Sequence, residues 1–409
     1  MFNPYKQFKL LYPKDIQIES IVIIFHIFRK TFFNVGRDMG DTSVSGSTFL
    51  LFACIGLNFW VVHNNKKILS RAIKENKWFL YYILFCGISF LWNVIDVAGF
   101  TTVFAKDLEI LSSFLVLSVV LYKISDLNRC AIYVLYIMTL AALSGGLAQG
   151  FNHTNSYSFS AMLGTIMSYG LMRNYKMKNI HYFFIANLFA MVLGTSSGTY
   201  IAFICGVLVM FSTNKKGVKI IQAVTVAVIA YFVYESAYDF IAQYIYYGHD
   251  QNAIEGGTGR YEIWALFIDA WKESPWLGYG YIVGERNFGV IGDRDFIFSA
   301  HNGYISVLIN TGLIGMSIFL YYTLQTIFRS LNKSQISNPA QSIASVCFAA
   351  LIGLLVNNIS YPAFGSDWNH TFPPMMCLLI LINTMKNKSI DMAMPTILTK
   401  YAWNYRKNG

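Results

Sequence analysis

Charge is scarce in this chain: Asp, Glu, Lys and Arg make up 13% of its 409 residues, against about 25% in an ordinary soluble domain. With 55% hydrophobic residues and a mean hydropathy of +0.45, too little polar surface is left to face water, which excludes a soluble enzyme. Disorder is excluded too, because disordered chains are poor in apolar residues and this one is 17% aromatic. Proline is sparse, at eight residues, and no Gly/Ser-rich linker divides the chain. Residues 1–409 therefore read as one domain. Metal-type cysteine spacing is also missing: Cys54, Cys86, Cys130, Cys205, Cys347 and Cys377 all fall in or beside apolar runs, where cysteine behaves as a small buried hydrophobe. No charged, apolar and small-residue leader is recognised at the start.

What the chain does have is long apolar runs. A membrane span needs about 20 mostly apolar residues, and candidates lie near 44–63, 78–95, 107–123, 130–147, 157–172, 180–196, 198–213, 217–235, 301–328, 341–358 and 369–385. A weaker segment at 16–35 carries Glu19, His26, Arg29 and Lys30. Counting it gives an all-α, polytopic membrane protein of about twelve helices. The formal net charge of +10 would suit a nucleic-acid binder, but its distribution tells otherwise. Basic residues gather at 64–77, 173–179, 214–219, 329–333 and in the tail after 385. The alternate side carries Asp96, Asp107 and Glu109, and a long 235–300 segment in which ten acids face Arg260, Lys272, Arg286 and Arg294. Lys and Arg stay on the cytoplasmic side during insertion. Both termini are thus expected in the cytoplasm, the 235–300 loop is expected outside, and the partner is a bilayer rather than nucleic acid.

Within that loop, Arg260 to Trp271 reads as a helix whose apolar face is Ile263, Trp264, Phe267, Ala270 and Trp271. Trp264, Trp271 and Trp276 point to a helix lying along the membrane interface. Three pieces on the outward side stand out. One is Gly257-Thr258-Gly259-Arg260, followed by Trp264 and Pro275-Trp276-Leu277-Gly278-Tyr279-Gly280. The next is His301-Asn302, nine residues, then Gly312-Leu313-Ile314-Gly315. The last is the uncharged polar turn Gln149 to Asn155, which includes Asn152 and His153.

In this order and on this face, the pieces resemble the O-antigen ligase and O-antigen polymerase family. The motif block spans about 258–315, and the topology extends the likeness loosely along the chain. The resemblance implies a bacterial inner-membrane glycosyltransferase, metal-independent and inverting, with its active site in the periplasm. It takes glycan from an undecaprenyl-diphosphate-linked oligosaccharide, alongside a chain-length regulator and a flippase of the same pathway. One departure bears on which member this is. Relatives often carry an arginine in a Ser-Arg-Gly-like turn that helps hold the donor diphosphate, whereas this chain reads Thr195-Ser196-Ser197-Gly198. Either Arg286 or Arg294 takes that place or this member handles its donor differently, and the balance moves modestly from ligase toward polymerase. A polysaccharide flippase without chemistry is the rival from another class.

The residues make chemical sense without the family. Displacing a sugar from a lipid diphosphate leaves negative charge, which guanidinium matches in bidentate fashion. Arg260 opens a helix, where backbone N–H groups add to an anion site; alternatively it pairs with Glu255 or Glu262 at the surface. His301 has the basicity to take the proton of an attacking sugar hydroxyl, or it only holds the loop to the bundle. Asn302 orients the histidine or caps the span. His153 and Asn152 are further substrate-binding candidates, and the glycines 312 and 315 read as close-packing positions. The acids of the loop reflect loop asymmetry, or some of Glu255, Glu262, Asp293 and Asp295 bind sugar hydroxyls. No cofactor and no metal are expected.

Overall fold

The computed structural model describes residues 17–32, 46–92, 97–150, 155–174, 179–213, 260–288, 299–334, 339–363 and 372–385. These residues are helical throughout, with short turns between. In chain order the helices are α1 (Gln17–Phe32), α2 (Gly46–Asn64), α3 (Lys66–Ile88), α4 (Val97–Lys123), α5 (Leu127–Ala148), α6 (Asn155–Asn174), α7 (Ile180–Leu193) and α8 (Ser197–Thr213). They continue as α9 (Arg260–Glu273), the short α10 (Val283–Phe288), α11 (Gly303–Ser334), α12 (Pro339–Asn357) and α13 (Phe372–Thr384). Helices stand at all the expected apolar segments except 217–235, which lies outside the described residues, as does most of the 235–300 loop.

Among the described residues, Leu127–Ala148 and Gly303–Leu331 are long and apolar enough to cross a membrane, and five shorter helices are apolar as well. The sidedness of the surface is more telling. On α7 the exposed residues Tyr182, Ile185, Phe189 and Val192 recur at helical spacing, and on α11 Leu320, Tyr321, Leu324 and Phe328 do the same. Polar groups are turned inward: Asn58 donates to Ser112 Oγ at 3.0 Å and Asn187 to Thr139 Oγ1 at 2.7 Å, all four residues buried. A protein dissolved in water has the opposite arrangement. Lipid outside and hydrogen-bonded polar groups between helices suit a bilayer.

The first helix shows why its segment read weakly. The charges that lower its hydropathy are the ones that fasten it. Glu19 pairs with Lys123 at 2.5 Å, Arg29 pairs with Glu109, and His26 lies 3.3 Å from Ser113 Oγ. All of Glu19, His26, Arg29 and Glu109 are buried, so removing one partner would strand the other in a low dielectric.

The helix ends sort into two layers. At one end Arg329 donates to the Glu75 carbonyl and to Asn383 Oδ1, and Asn383 in turn donates to Tyr322 and Thr326. This layer holds the basic start of α3. At the other end the tops of α3, α8, α11 and α12 meet: Tyr281 N–H donates to Ser89 Oγ at 2.8 Å and Gly303 N–H to the Asn358 carbonyl at 2.8 Å. Asp107 and Glu109, read from the sequence as loop acids, instead lie within α4 and are buried, Glu109 against Arg29.

Candidate active site

The site is built on a broken helix. At Gly312 the backbone of α11 takes φ +61° and ψ −164°, a region that only glycine occupies without strain. A break inside a helix leaves N–H and C=O groups without intrahelical partners, which is costly away from water. Here a loop supplies them. Tyr279 and Gly280 N–H donate to the Ile309 and Asn310 carbonyls, each at 2.9 Å, while Leu313 and Ile314 N–H donate to the Pro275 and Trp276 carbonyls at 2.8 and 3.1 Å. The exchange works only at contact distance. A Cβ at Gly312 would lie 2.4 Å from the Trp276 carbonyl, and one at Gly278 would lie 2.6 Å from the Ile309 oxygen. This explains the two glycine motifs together: Pro-x-x-Gly-x-Gly docks into the break made by the first glycine of Gly-x-x-Gly.

The loop carries α9 with it. Ile263, Phe267 and Ala270 are buried, packing with Ala300 and Ile309, with Trp264, Trp271, Tyr279 and Ile305 around them. Trp264 Nε1 donates to the Ala300 carbonyl at 2.8 Å and Trp271 Nε1 to the Pro275 carbonyl at 3.1 Å. The apolar face of α9 therefore packs on the protein itself rather than on the bilayer surface, a correction to the interfacial reading. The indole N–H groups find carbonyl partners inside the fold, and Trp276 is the exposed one, at 65%. Tyr279 donates to the Ala270 carbonyl at 2.9 Å. Burial, and then the Glu273 carboxylate beside it, raises the phenol above its ordinary pKa, so it remains a donor at neutral pH.

His301 stands at the mouth of this assembly. It is exposed, and its φ of +48° is unusual for a residue with a side chain. The residue before it is held at both ends, by Trp264 at the Ala300 carbonyl and by Glu285 Oε1, which accepts the Ala300 N–H at 2.8 Å. After it, Asn302 Oδ1 accepts the N–H groups of Tyr304 and Ile305 at 3.0 and 3.3 Å. Asn302 is thus a helix cap, and it spends its carbonyl oxygen on α11 rather than presenting it outward. Arg260 is the first residue of α9, four residues before Trp264. That is one helical turn in register, about 6 Å along the axis. Its helix is thereby tied to the residue preceding His301.

The remaining candidates are less closely placed. Arg286 follows Glu285 in α10. Arg294, Asn152 and His153 lie outside the described residues. Of the acids considered, Glu262 is in the first turn of α9, and Glu255, Asp293 and Asp295 lie outside the described residues. The expectation of metal-free chemistry passed over Asp293-Arg294-Asp295, an Asp-x-Asp spacing of the kind that can hold a divalent cation. Among the described residues no group of three or more His, Cys, Asp and Glu could hold one. The turn where relatives carry arginine does reach this neighbourhood. A Cβ at Gly198 would strike the Ser360 side chain, Asn357 donates to Thr199 at 3.1 Å, and Asn358 accepts from Gly303, two residues past His301.

One segment thus holds the Thr195–Gly198 turn, the Arg260 helix, the docking loop, His301 and the broken helix. Residues 182–320 match the O-antigen ligase family. No curated protein sequence matches the chain. The O-antigen ligase segment begins in α7 and ends in α11 just beyond Gly315. It includes Thr195 to Gly198, Arg260 and His301, and leaves out Asn152 and His153. The match supports function of the O-antigen ligase or polymerase type and is what points to a glycosyl-transferring enzyme. Among the polar residues at this site that the sequence did not single out is the buried Glu285.

Proposed function

We propose that this protein polymerises undecaprenyl-diphosphate-linked oligosaccharide units into an O-antigen or related surface polysaccharide, at the periplasmic face of a bacterial inner membrane that it spans about twelve times. The observation that carries the reading is the tether from Trp264 to Ala300, which joins the helix opened by Arg260 to the residue before His301. A cation for the leaving diphosphate and a base for the incoming hydroxyl then belong to one assembly.

In the reaction, the acceptor hydroxyl oxygen attacks the anomeric carbon of the lipid-linked unit. His301 takes the hydroxyl proton, and the bond from the anomeric carbon to the diphosphate oxygen breaks. The electron pair leaves with undecaprenyl diphosphate, whose charge Arg260 meets together with Arg286 or Arg294. A single displacement inverts the anomeric centre. Serine at 197 favours polymerisation over ligation, because the ligase reading leans on the arginine missing there.

Ligation of finished glycan to a lipid A core is the second reading, favoured by the family description itself. The flippase reading gains little from the structure. The buried charges of α1 are paired with those of α4, and so serve packing rather than a path for substrate. Gel analysis of lipopolysaccharide from a deletion strain separates the two enzymes. A core bearing one repeat unit means polymerase; long lipid-linked chains beside a naked core mean ligase.

A further inference from the structure

We propose that Glu285 is a positioning residue for His301, fixing through the Ala300 peptide the direction in which the imidazole meets the acceptor hydroxyl; this rests on the reading of His301 as the base. Glu285 is 2% exposed, and burying a carboxylate costs several kcal/mol unless its oxygens are well used. One of its oxygens, Oε1, accepts from Ala300 N–H at 2.8 Å and from Ser306 Oγ at 2.6 Å. Those donors flank His301 on both sides in sequence. A helix entry by itself needs no such group, since Asn302 already caps α11.

The conformation being held is one that resists holding. A left-handed residue with a Cβ costs about 1–2 kcal/mol, and His301 is in that state at φ +48°. Two tethers on the preceding residue, one from Trp264 at its carbonyl and one from Glu285 at its N–H, oppose its relaxation. Glu285 is itself fixed, because its N–H donates to Asn310 Oδ1 at 3.2 Å. A Cβ at Gly284 would sit 2.8 Å from both the Asn310 Oδ1 and Ile309 oxygens, so α10 has no room to shift along α11. The carboxylate thus transmits the position of the broken helix to the candidate base.

The test uses the full-length protein in liposomes with lipid-linked repeat units, assayed for kcat and donor KM at equal folded protein. Glu285→Ala and, separately, Trp264→Phe each remove one tether. Each is expected to lower kcat about ten- to a hundredfold, the scale of a misplacement near 1 Å, with KM unchanged within about twofold. Glu285→Gln keeps an acceptor oxygen for the Ala300 N–H and recovers at least about tenfold of the loss. In a His301→Gln background neither tether variant has a further effect, because what they position is gone. A loss of equal size in that background overturns the proposal, as does a fall in kcat/KM carried by KM. If Glu285→Ala fails to accumulate, the Trp264→Phe arm decides. Near-normal transfer by His301→Gln alone overturns both the base and its positioning. An inactive His301→Gln beside wild-type kcat in the tether variants overturns the positioning alone.

Discussion

Replacing Gly312 by alanine tests the docking of the outer loop into α11 most directly. The new methyl group would lie 2.4 Å from the Trp276 carbonyl carbon and oxygen and 2.6 Å from Gly278 N. All three are backbone atoms, so no side chain can rotate aside. The conformation, φ +61° and ψ −164°, adds about 1–3 kcal/mol of strain for a residue with a Cβ. Relieving the clash separates the loop from the helix and breaks the four crossing hydrogen bonds, each worth about 1 kcal/mol net. The combined cost is about 5–7 kcal/mol, against a typical total stability of about 5–15 kcal/mol. Gly312→Ala should therefore lose transfer activity and melt far below wild type in detergent. Gly56→Ala on α2, where a Cβ meets nothing within 4 Å, should melt at or slightly above it. Gly278→Ala strikes the same interface from the other side, and the double variant should cost much less than the sum of the singles. A Gly312→Ala protein with the wild-type melting curve and normal transfer would refute the reasoning.

Orientation is checked by labelling single cysteines with an impermeant reagent: a cysteine at position 250 is modified from the periplasm and one at 216 is protected, and the reverse pattern removes the proposed site. Arg260→Lys keeps the charge but loses the planar fork, so glycan chains should be severely reduced at normal protein abundance. Arg286→Ala and Arg294→Ala then show which arginine assists, and wild-type synthesis by all three variants excludes charge neutralisation by these residues. Transfer by the purified protein should survive EDTA; loss restored by added magnesium would instead assign a metal to Asp293 and Asp295.

Most of the helices were readable because they contain apolar runs, and the start of α9 at Arg260 because Thr258 and Gly259 precede it and an apolar face follows at helical spacing. The site was readable as a list of motifs but not as an arrangement. The bonds that join Pro275–Gly280 to the break at Gly312 run from backbone to backbone, and such bonds leave no side-chain signal beyond the glycines that permit them. Glu285 is one of ten acids in its loop, and its partners lie 15 and 21 residues downstream. Nothing local distinguishes it from Asp269 on the surface. Trp264 and Trp271 misled for a related reason. A tryptophan needs a wet or hydrogen-bonded edge, and sequence does not say whether a membrane interface or a carbonyl provides it.

The pairing of α1 bears on how the protein is made. Synthesised before α4, this helix would carry Glu19 and Arg29 without the partners they have in the fold, and a charge near mid-membrane costs about 2.5–3.5 kcal/mol. The residues that neutralise and cradle it come much later: Glu109 is 80 residues after Arg29, Lys123 is 104 after Glu19, and Ser144 is 113 after Thr31. Its seat therefore does not exist until α4 and α5 have been synthesised. The charges of α1 are thus matched only once α4 stands beside it.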